Sequence, residues 1–188
     1  HDRIGEVRPW LVAGEKYQAE DEDLFGLVVR GLAILDEIEA ARKLAASEPS
    51  RMKTSAVANL SLGKALSSHE QYVEAERLLN TAAQLDKKST NAHIALAVLY
   101  RKKSRWLAAL NAANKAVSLD AEDSEGYYQK ACVLARLGRI KEAMAALTKS
   151  FELDEEQTMY IAEEDDLKPL ASLPAFKKLL PAPEKQQP

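Results

Sequence analysis

The 188-residue sequence has little of several residue types, and each shortage excludes a class of protein. Cys132 is the single cysteine, so the chain has no disulfide framework of its own, which needs at least two. No apolar run approaches the roughly 18 residues of a membrane-spanning helix. The 26 basic and 29 acidic residues nearly cancel, leaving a net charge of −3 and no electrostatic footprint for nucleic acid.

Catalytic and metal-binding motifs are also missing from the sequence. The histidines His1, His69 and His93 are far apart, and no HExxH motif or Cys/His cluster is present. The acidic runs Glu20–Asp23 and Glu163–Asp166 are typical of solvated helix starts, where negative charge suits the helix dipole. We therefore expect no catalytic residue, no metal and no cofactor.

The sequence leaves the cellular compartment open. A single thiol is compatible with a reducing cytosol or with a periplasm. The first residue is His1, and no basic segment followed by an apolar one precedes the domain. We expect that the chain was processed or cut from a longer protein.

What the sequence does contain is helix-forming composition with a 34-residue repeat. Aromatic residues make up only 6% of the chain, while Ala and Leu, which cost least to fix in a helix, are abundant. When the sequence is divided into units that start at Ala56, Thr90 and Ser124, equivalent positions of the three units hold similar residues. Each set of equivalent positions is called a column. These columns hold Leu62, Leu96 and Lys130; Gly63, Ala97 and Ala131; Leu66, Tyr100 and Leu134; Ala75, Ala109 and Ala143; Leu79, Ala113 and Leu147; and Ala82, Ala116 and Ser150.

Each repeat predicts two helices separated by a short break. The breaks lie at residues 67–69, 103–104 and 137–138, and the alanine shared by all three repeats lies inside the second helix. Two antiparallel helices pack closely only where small side chains lie at the closest approach of their axes. The small residues at these columns therefore indicate tightly packed helix pairs.

The 34-residue unit resembles the tetratricopeptide repeat. The match is carried by Leu62-Gly63, Leu66, Ala75, Leu79 and Ala82 and their equivalents in the next two units. It departs from the family at the closing proline, which is Lys87, Ala121 and Glu155 here. The resemblance implies an all-α fold, a right-handed α-solenoid of antiparallel helix pairs with three units at 56–89, 90–123 and 124–156.

The segment after the repeats resembles the short closing segment of bacterial tetratricopeptide arrays. Residues 157–180 are expected to form a C-terminal cap, because the last unit of a solenoid exposes an apolar face that must be covered. Pro174 suits the first turn of a capping helix, and residues 181–188 are expected to form a disordered tail. The predicted cover consists of Leu167, Leu170, Leu173, Phe176 and Leu180.

Residues 1–55 are predicted to form an N-terminal helical extension that caps the array. Apolar residues recur every three or four positions from Leu24 to Leu44, and the Asp36-Glu37 step contains no turn residue. We therefore favour one long helix over 22–46, with a degenerate helix pair as the alternative. A more specific interpretation than capping is that the same segment forms a helix that mediates dimerisation.

A ligand site is implied by the resemblance rather than by any catalytic motif. In this family the first helix of each unit lines a concave groove, through positions 2, 5, 9, 12 and 13. An apolar groove with cations on one side suits a peptide that carries apolar and acidic side chains. The candidate partner-binding residues are Leu60, Lys64, Asn91, Ile94, Val98, Arg101, Lys102, Tyr128, Cys132 and Arg136.

The function predicted from these features is a non-catalytic adaptor or scaffold that binds a peptide or protein segment in the groove. Two alternatives are kept. In the first, the chain is an assembly module that self-associates through residues 22–46, as a homodimer, or through the convex face. In the second, it is the accessory repeat region of a larger multidomain enzyme. No nucleic acid partner and no transmembrane segment are expected.

Overall fold

A computed structural model describes residues 24–154, 161 and 163–180 of the chain. Within these ranges every regular element is helical. The predictions for residues 1–23, for 155–160 and 162 at the end of the third unit and the start of the cap, and for the tail 181–188 lie outside the described residues. The α-helices are α1 (Leu24–Ile34), α2 (Ile38–Ser47), α3 (Pro49–Met52), α4 (Ala56–Ser68), α5 (Tyr72–Leu85), α6 (Thr90–Lys102), α7 (Trp106–Leu119), α8 (Ser124–Arg136), α9 (Ile140–Leu153) and α10 (Pro174–Leu179), with a 3₁₀ helix at Asp165–Leu170 before α10.

The helices keep the 34-residue spacing beyond the three repeats identified in the sequence. The first helix of each pair ends at Ile34, Ser68, Lys102 and Arg136, and the second begins four residues later in each case. The 3₁₀ helix ends at Leu170 and α10 begins at Pro174, again 34 residues further on. Helix pairs in repeat register therefore flank the three predicted units on both sides.

The preference for one long helix over 22–46 is wrong, because the chain turns between α1 and α2. Asp36 takes the left-handed conformation at φ 60°, and its neighbour Glu37 donates its amide hydrogen to the Leu32 carbonyl at 2.9 Å. This six-to-one bond ends α1 in a Schellman turn. Asp tolerates the left-handed region better than most residues, so no glycine is required here.

The same turn closes the first helix of every described pair from α1 to α9. The left-handed residues recur at the 34-residue spacing: Asp36, Glu70, Ser104 and Gly138, with φ of 60°, 59°, 53° and 74°. The next residue after each donates to the carbonyl five residues back, at 2.8–2.9 Å. The units thus share one backbone geometry at the turn, while the residue at the turn changes.

The start of each first helix from α4 to α8 is capped by a side chain at an equivalent position. Ser55 Oγ accepts from the Ala58 amide at 2.9 Å, and Ser89 Oγ accepts from the Ala92 amide at 3.3 Å. Asp123 Oδ1 accepts from the Gly126 amide at 2.9 Å. Such caps satisfy a donor that the helix itself leaves unpaired, and each is worth about 1 kcal/mol.

Two compact units make up the chain, His1–Leu99 and Tyr100–Pro188, called unit 1 and unit 2 below. In unit 1, α1 packs on α2 and on α4, and α4 packs on α5. The alanine column continues into this unit, because Ala41 lies 34 residues before Ala75 and both are fully buried. The unit 1 core contains Val29, Leu32, Leu44, Leu62, Leu66, Leu78 and Leu79.

Unit 2 is built from α7, α8 and α9 with the closing segment packed against them. The 3₁₀ helix lies against α8, and α10 contacts α9. Leu167, Leu170 and Phe176 of the closing segment are buried in the same apolar cluster as Leu134 and Leu147. Pro174 begins α10, where its missing amide hydrogen costs nothing. None of the helices described has the length and apolarity needed to cross a membrane.

Candidate functional site

In unit 1 the predicted partner-binding residues lie on the first helices α4 and α6. Lys64 and Asn91 are exposed, Leu60 and Val98 are half-buried, and Ile94 is 9% exposed. Leu60 and Lys64 are one turn apart on α4, and the three α6 residues share a face through spacings of three and four. These residues, with those added below, are called the unit 1 first-helix face.

The helix pair found at α1 and α2 adds residues to this face that sequence reasoning missed. Arg30 lies 34 residues before Lys64, so it takes the same repeat position on α1, which packs directly on α4. Both cations are exposed, and no described carboxylate pairs with either of them. Leu27, one turn before Arg30, is 43% exposed. The unit 1 first-helix face therefore combines these two cations with exposed and half-buried leucines.

In unit 2 the cation predicted to contact a ligand is already bound by the chain itself. Arg101 Nη2 lies 2.9 Å from Glu164 Oε2 and 2.7 Å from Asp166 Oδ2. Its Nε donates to Asp166 Oδ2 at 2.8 Å, and its Nη1 donates to Gln129 Oε1 at 2.6 Å. The Arg101 side chain is only 11% exposed. Its charge is thus balanced inside the unit by two carboxylates of the closing segment.

Two other predicted site residues join the same cluster. The Tyr128 hydroxyl donates to Glu164 Oε2 at 3.3 Å. Arg136 Nε lies 3.5 Å from Asp166 Oδ1, and its guanidinium lies 5.0 Å from the centre of the Trp106 ring. We call the set of Arg101, Gln129, Tyr128, Arg136, Glu164 and Asp166 the Arg101 cluster.

The surroundings in the Arg101 cluster favour the charged forms of Arg101 and Glu164. Burial by itself lowers the pKa of Arg101, but neighbouring charge, including that of Glu164, and the hydrogen bonds to Glu164 and Asp166 outweigh it, so the net shift is upward. Burial by itself raises the pKa of Glu164, but Arg101 and its hydrogen bonds hold that pKa below the usual value. Burial raises the pKa of Tyr128, with Glu164 adding to the shift. At neutral pH Glu164 is therefore ionised and the Tyr128 phenol is neutral.

Cys132 lies under this cluster rather than on a ligand surface. Its side chain is fully buried, and burial raises the pKa of its thiol. A buried, protonated thiol is a small apolar core residue with low nucleophilic reactivity. Lys102, the remaining predicted residue, is exposed at the C-terminal end of α6.

The acidic run Glu163–Asp166 is not the uniformly solvated helix start that the sequence suggested. Glu163 and Asp165 are exposed, but the side chains of Glu164 and Asp166 are only 23% and 16% exposed. The signal for their partner was present in the repeat columns. The positions equivalent to Arg101 hold small residues, and an arginine among them requires a compensating anion. Those small residues are Ala33, Ser67 and Ala135.

Comparisons with known proteins agree on one fold. The family model of the tetratricopeptide repeat matches residues 124–157. Among solved structures, the chain resembles YrrB, described as a TPR protein with an unusual peptide-binding site, at a TM-score of 0.67 and 21% identity, covering 92% of this chain and 93% of that one. No curated protein sequence matches the chain.

Structures of MamA are similar to the chain at comparable levels. The RS-1 MamA double mutant has a TM-score of 0.65 at 21% identity, covering 82% of this chain and 86% of that one. The MSR-1 protein has a TM-score of 0.60 at 19% identity, covering 84% and 92%. At these identities the likeness shows the fold alone. With the family match over residues 124–157 and the 34-residue helix pairs, it supports a tetratricopeptide-repeat assignment and gives the described chain the all-α helix-pair fold of that repeat.

Proposed function

We propose that the chain is a non-catalytic adaptor that binds an acidic and apolar peptide segment on the unit 1 first-helix face. The observation that carries the proposal is the pair Arg30 and Lys64, exposed at equivalent positions of two packed helices and without a described carboxylate partner. A surface of this kind attracts carboxylates, while Leu27 and Leu60 beside it offer apolar contacts.

Under this proposal the candidate residues have unequal roles. Leu60, Lys64, Asn91, Ile94 and Val98 belong to the proposed binding face, together with Arg30 and Leu27. Arg101, Tyr128 and Arg136 are engaged by the closing segment, and Cys132 is buried, so these four support unit 2. The description of YrrB as a protein with a peptide-binding site supports a peptide as the ligand class.

A display library of random peptides, screened against the immobilised full chain, tests the proposal. We expect enriched peptides to combine Asp or Glu with Leu, Ile or Val. The double variant Arg30→Glu/Lys64→Glu is expected to bind them about tenfold more weakly or worse, because two attractive contacts become repulsive. Circular dichroism checks that the variant is folded.

The matched control reverses two charges away from the face. Lys87 and Lys88 are exposed in the loop between α5 and α6, so Lys87→Glu/Lys88→Glu changes the net charge equally. If both double variants weaken binding to the same degree, the effect is one of net charge and the face is not the site. Enriched peptides without acidic residues contradict the proposal directly.

A second candidate function is self-association through residues 22–46. It rests on the exposed apolar side chains at the end of α1, where Ile34 is 73% exposed and Leu35 is 63% exposed. Light scattering of the full chain tests it. We expect a dimer that Ile34→Lys/Leu35→Lys converts to a monomer and that Leu107→Lys, at another exposed leucine, leaves intact. A monomeric wild-type protein removes this candidate.

A further inference from the structure

Unit 1 contains a groove of about 700 Å³ that the repeat pattern does not predict. Its two walls are α2 and α5, and residues of α3 and α4 form its floor. Each wall contributes residues spaced by three and four along its helix, from Glu39 to Ala46 on α2 and from Glu74 to Thr81 on α5. The groove is therefore about two helical turns, or roughly 10 Å, long.

The groove has a local cause in the sequence. Helix α2 has 10 residues, whereas α5, which takes the same place in the next pair, has 14. Pro49 disfavours helical geometry at the residue before it, and Glu48 has φ −126° and ψ 58°. At the equivalent position of the next pair, Ala82 is buried inside the helix. The second helix of the first pair thus ends about one turn early.

The acidic side chains along the groove are paired, whereas three of the basic side chains have no carboxylate partner among the described residues. The two acidic side chains, Glu39 and Glu74, both pair with Arg42, at 3.5 Å and 3.0 Å. Lys43 on the α2 wall and Arg77 on the α5 wall have no carboxylate partner among the described residues, and neither has Lys53 beyond α3. These three cations therefore line the same groove as Met52 and Leu62.

From this combination we infer that the groove binds a small organic anion with an apolar body, of the medium-chain carboxylic acid type. The carboxylate lies between Lys43 and Arg77, where it relieves the repulsion of two cations from opposite walls. The apolar chain lies over Met52 and Leu62. The volume is within the range of about 300–1,000 Å³ common for small-molecule sites, and two helical turns are too short for an extended peptide.

This site is separate from the proposed peptide face. Its cations lie on the second helices α2 and α5 and, in the case of Lys53, directly after α3, whereas Arg30 and Lys64 lie on the first helices α1 and α4. The experiments on the groove and those on the peptide face therefore test the two proposals independently.

Sodium octanoate is the probe, because its chain length matches the groove. The ligand is titrated into the isotope-labelled full chain, and amide chemical shifts are followed. We expect saturable shifts at Ala45, Ala46 and Thr81, and little change for the same concentration of octan-1-ol, which lacks the charge. No saturable shift, or equal shifts with the alcohol, overturns the inference.

Variants locate the interaction. Lys43→Gln/Arg77→Gln is expected to weaken octanoate binding about tenfold or more, since both partners of the carboxylate are lost. Ala46→Trp, at an exposed position of the α2 wall, is expected to fill the groove and abolish binding. Lys88→Gln removes an exposed charge of the same unit outside the groove and is expected to change nothing. Wild-type affinity in the first two variants, with folding verified, contradicts the site.

Discussion

Units 1 and 2 are built from the same helix pair, yet they treat the cations of their first helices in different ways. In unit 1, Arg30 and Lys64 are exposed and have no described carboxylate partner. In unit 2, the repeat position of Lys64 holds the buried Cys132, and the neighbouring cation Arg101 is bound by two carboxylates of the closing segment. A basic residue on a first helix is therefore not by itself a sign of a ligand site.

The difference follows from what lies beside each set of first helices. In unit 2 the closing segment takes the place of a further first helix and contributes Glu164 and Asp166 from outside the three repeats. Its leucines Leu167 and Leu170 are buried, so the carboxylates are held on a fixed backbone rather than on a mobile chain. The Arg101 cluster is thus a structural contact between a repeat and its cap.

The largest expected effect in this comparison comes from removing the buried guanidinium. We expect Arg101→Met to lower the free energy of unfolding by about 3 kcal/mol, because Glu164 and Asp166 lose their partner in a mostly buried site. Lys64→Met in unit 1 is expected to change stability by less than about 0.5 kcal/mol, since Lys64 is exposed and has no described carboxylate partner. Urea unfolding followed by circular dichroism measures both.

A second step distinguishes loss of the ion pairs from a simple packing defect. Adding Glu164→Gln and Asp166→Asn to Arg101→Met removes the charges left without a partner. We expect part of the lost stability to return, because neutral amides cost less to bury than unpaired carboxylates. A triple variant less stable than Arg101→Met shows that charge compensation is not the function of the cluster.

Much of the fold was predictable from the sequence, because the repeat is a packing requirement. The alanines at 75, 109 and 143 allow close helix approach, and all three are fully buried. The pair α1 and α2 was kept only as the alternative to one long helix, because Asp36-Glu37 contains no typical turn residue and the second helix ends early, at Ser47 before Pro49. Ala41 in the alanine column and the register of Leu32 with Leu66 were the signals present.

The candidate site was predicted less completely, for a physical reason. Column positions indicate which face a residue lies on, but not which distant segment reaches that face. Arg101 and Asp166 are 65 residues apart, and Asp166 lies outside the repeats from which the columns were defined. The groove between α2 and α5 depends on the length of α2, which a strict repeat assigns as equal in every unit.

An effect of intermediate size is expected at the turns that the two units share. Gly138 in unit 2 has φ 74°, and an added methyl group on its Cα would meet no atom of the described chain within 4 Å. Gly138→Ala is therefore expected to lower the free energy of unfolding by about 1 kcal/mol through backbone strain alone. Glu70 takes the same position in unit 1 at φ 59°. Glu70→Gly is expected to raise the free energy of unfolding by about 0.5 kcal/mol, because glycine adopts the left-handed conformation without strain. Thermal unfolding measures both shifts.

The matched control for the turns is Glu142→Gln, an exposed residue inside α9 whose partner Arg139 is also exposed. We expect Glu142→Gln to change the free energy of unfolding by no more than about 0.5 kcal/mol, which is the size of effect expected of an ordinary surface substitution. If Glu70→Gly destabilises unit 1, the glutamate side chain makes a contact that outweighs the strain of the left-handed backbone.

The smallest expected effect is the pH dependence contributed by Glu164. Arg101 and its hydrogen bonds outweigh burial and hold the pKa of Glu164 below the ordinary value of 4.5 in the folded chain. A lowered pKa in the folded state means that ionised Glu164 stabilises unit 2 above about pH 4.5, and that this contribution is lost as the pH falls through the folded pKa. The free-energy difference between wild type and Glu164→Gln should therefore be largest at neutral pH and shrink in acid.

The matched control for Glu164 is Asp165→Asn, because Asp165 is exposed and forms an ion pair with the exposed Lys168 within its own turn. Salt should remove the effect of Asp165→Asn while leaving most of the effect of Glu164→Gln, since screening acts mainly on exposed pairs. Equal sensitivity of the two variants to pH and to salt would show that Glu164 behaves as an exposed surface charge. In that case the contrast between a neutralised cation in unit 2 and the exposed cations of unit 1 would lose its energetic basis.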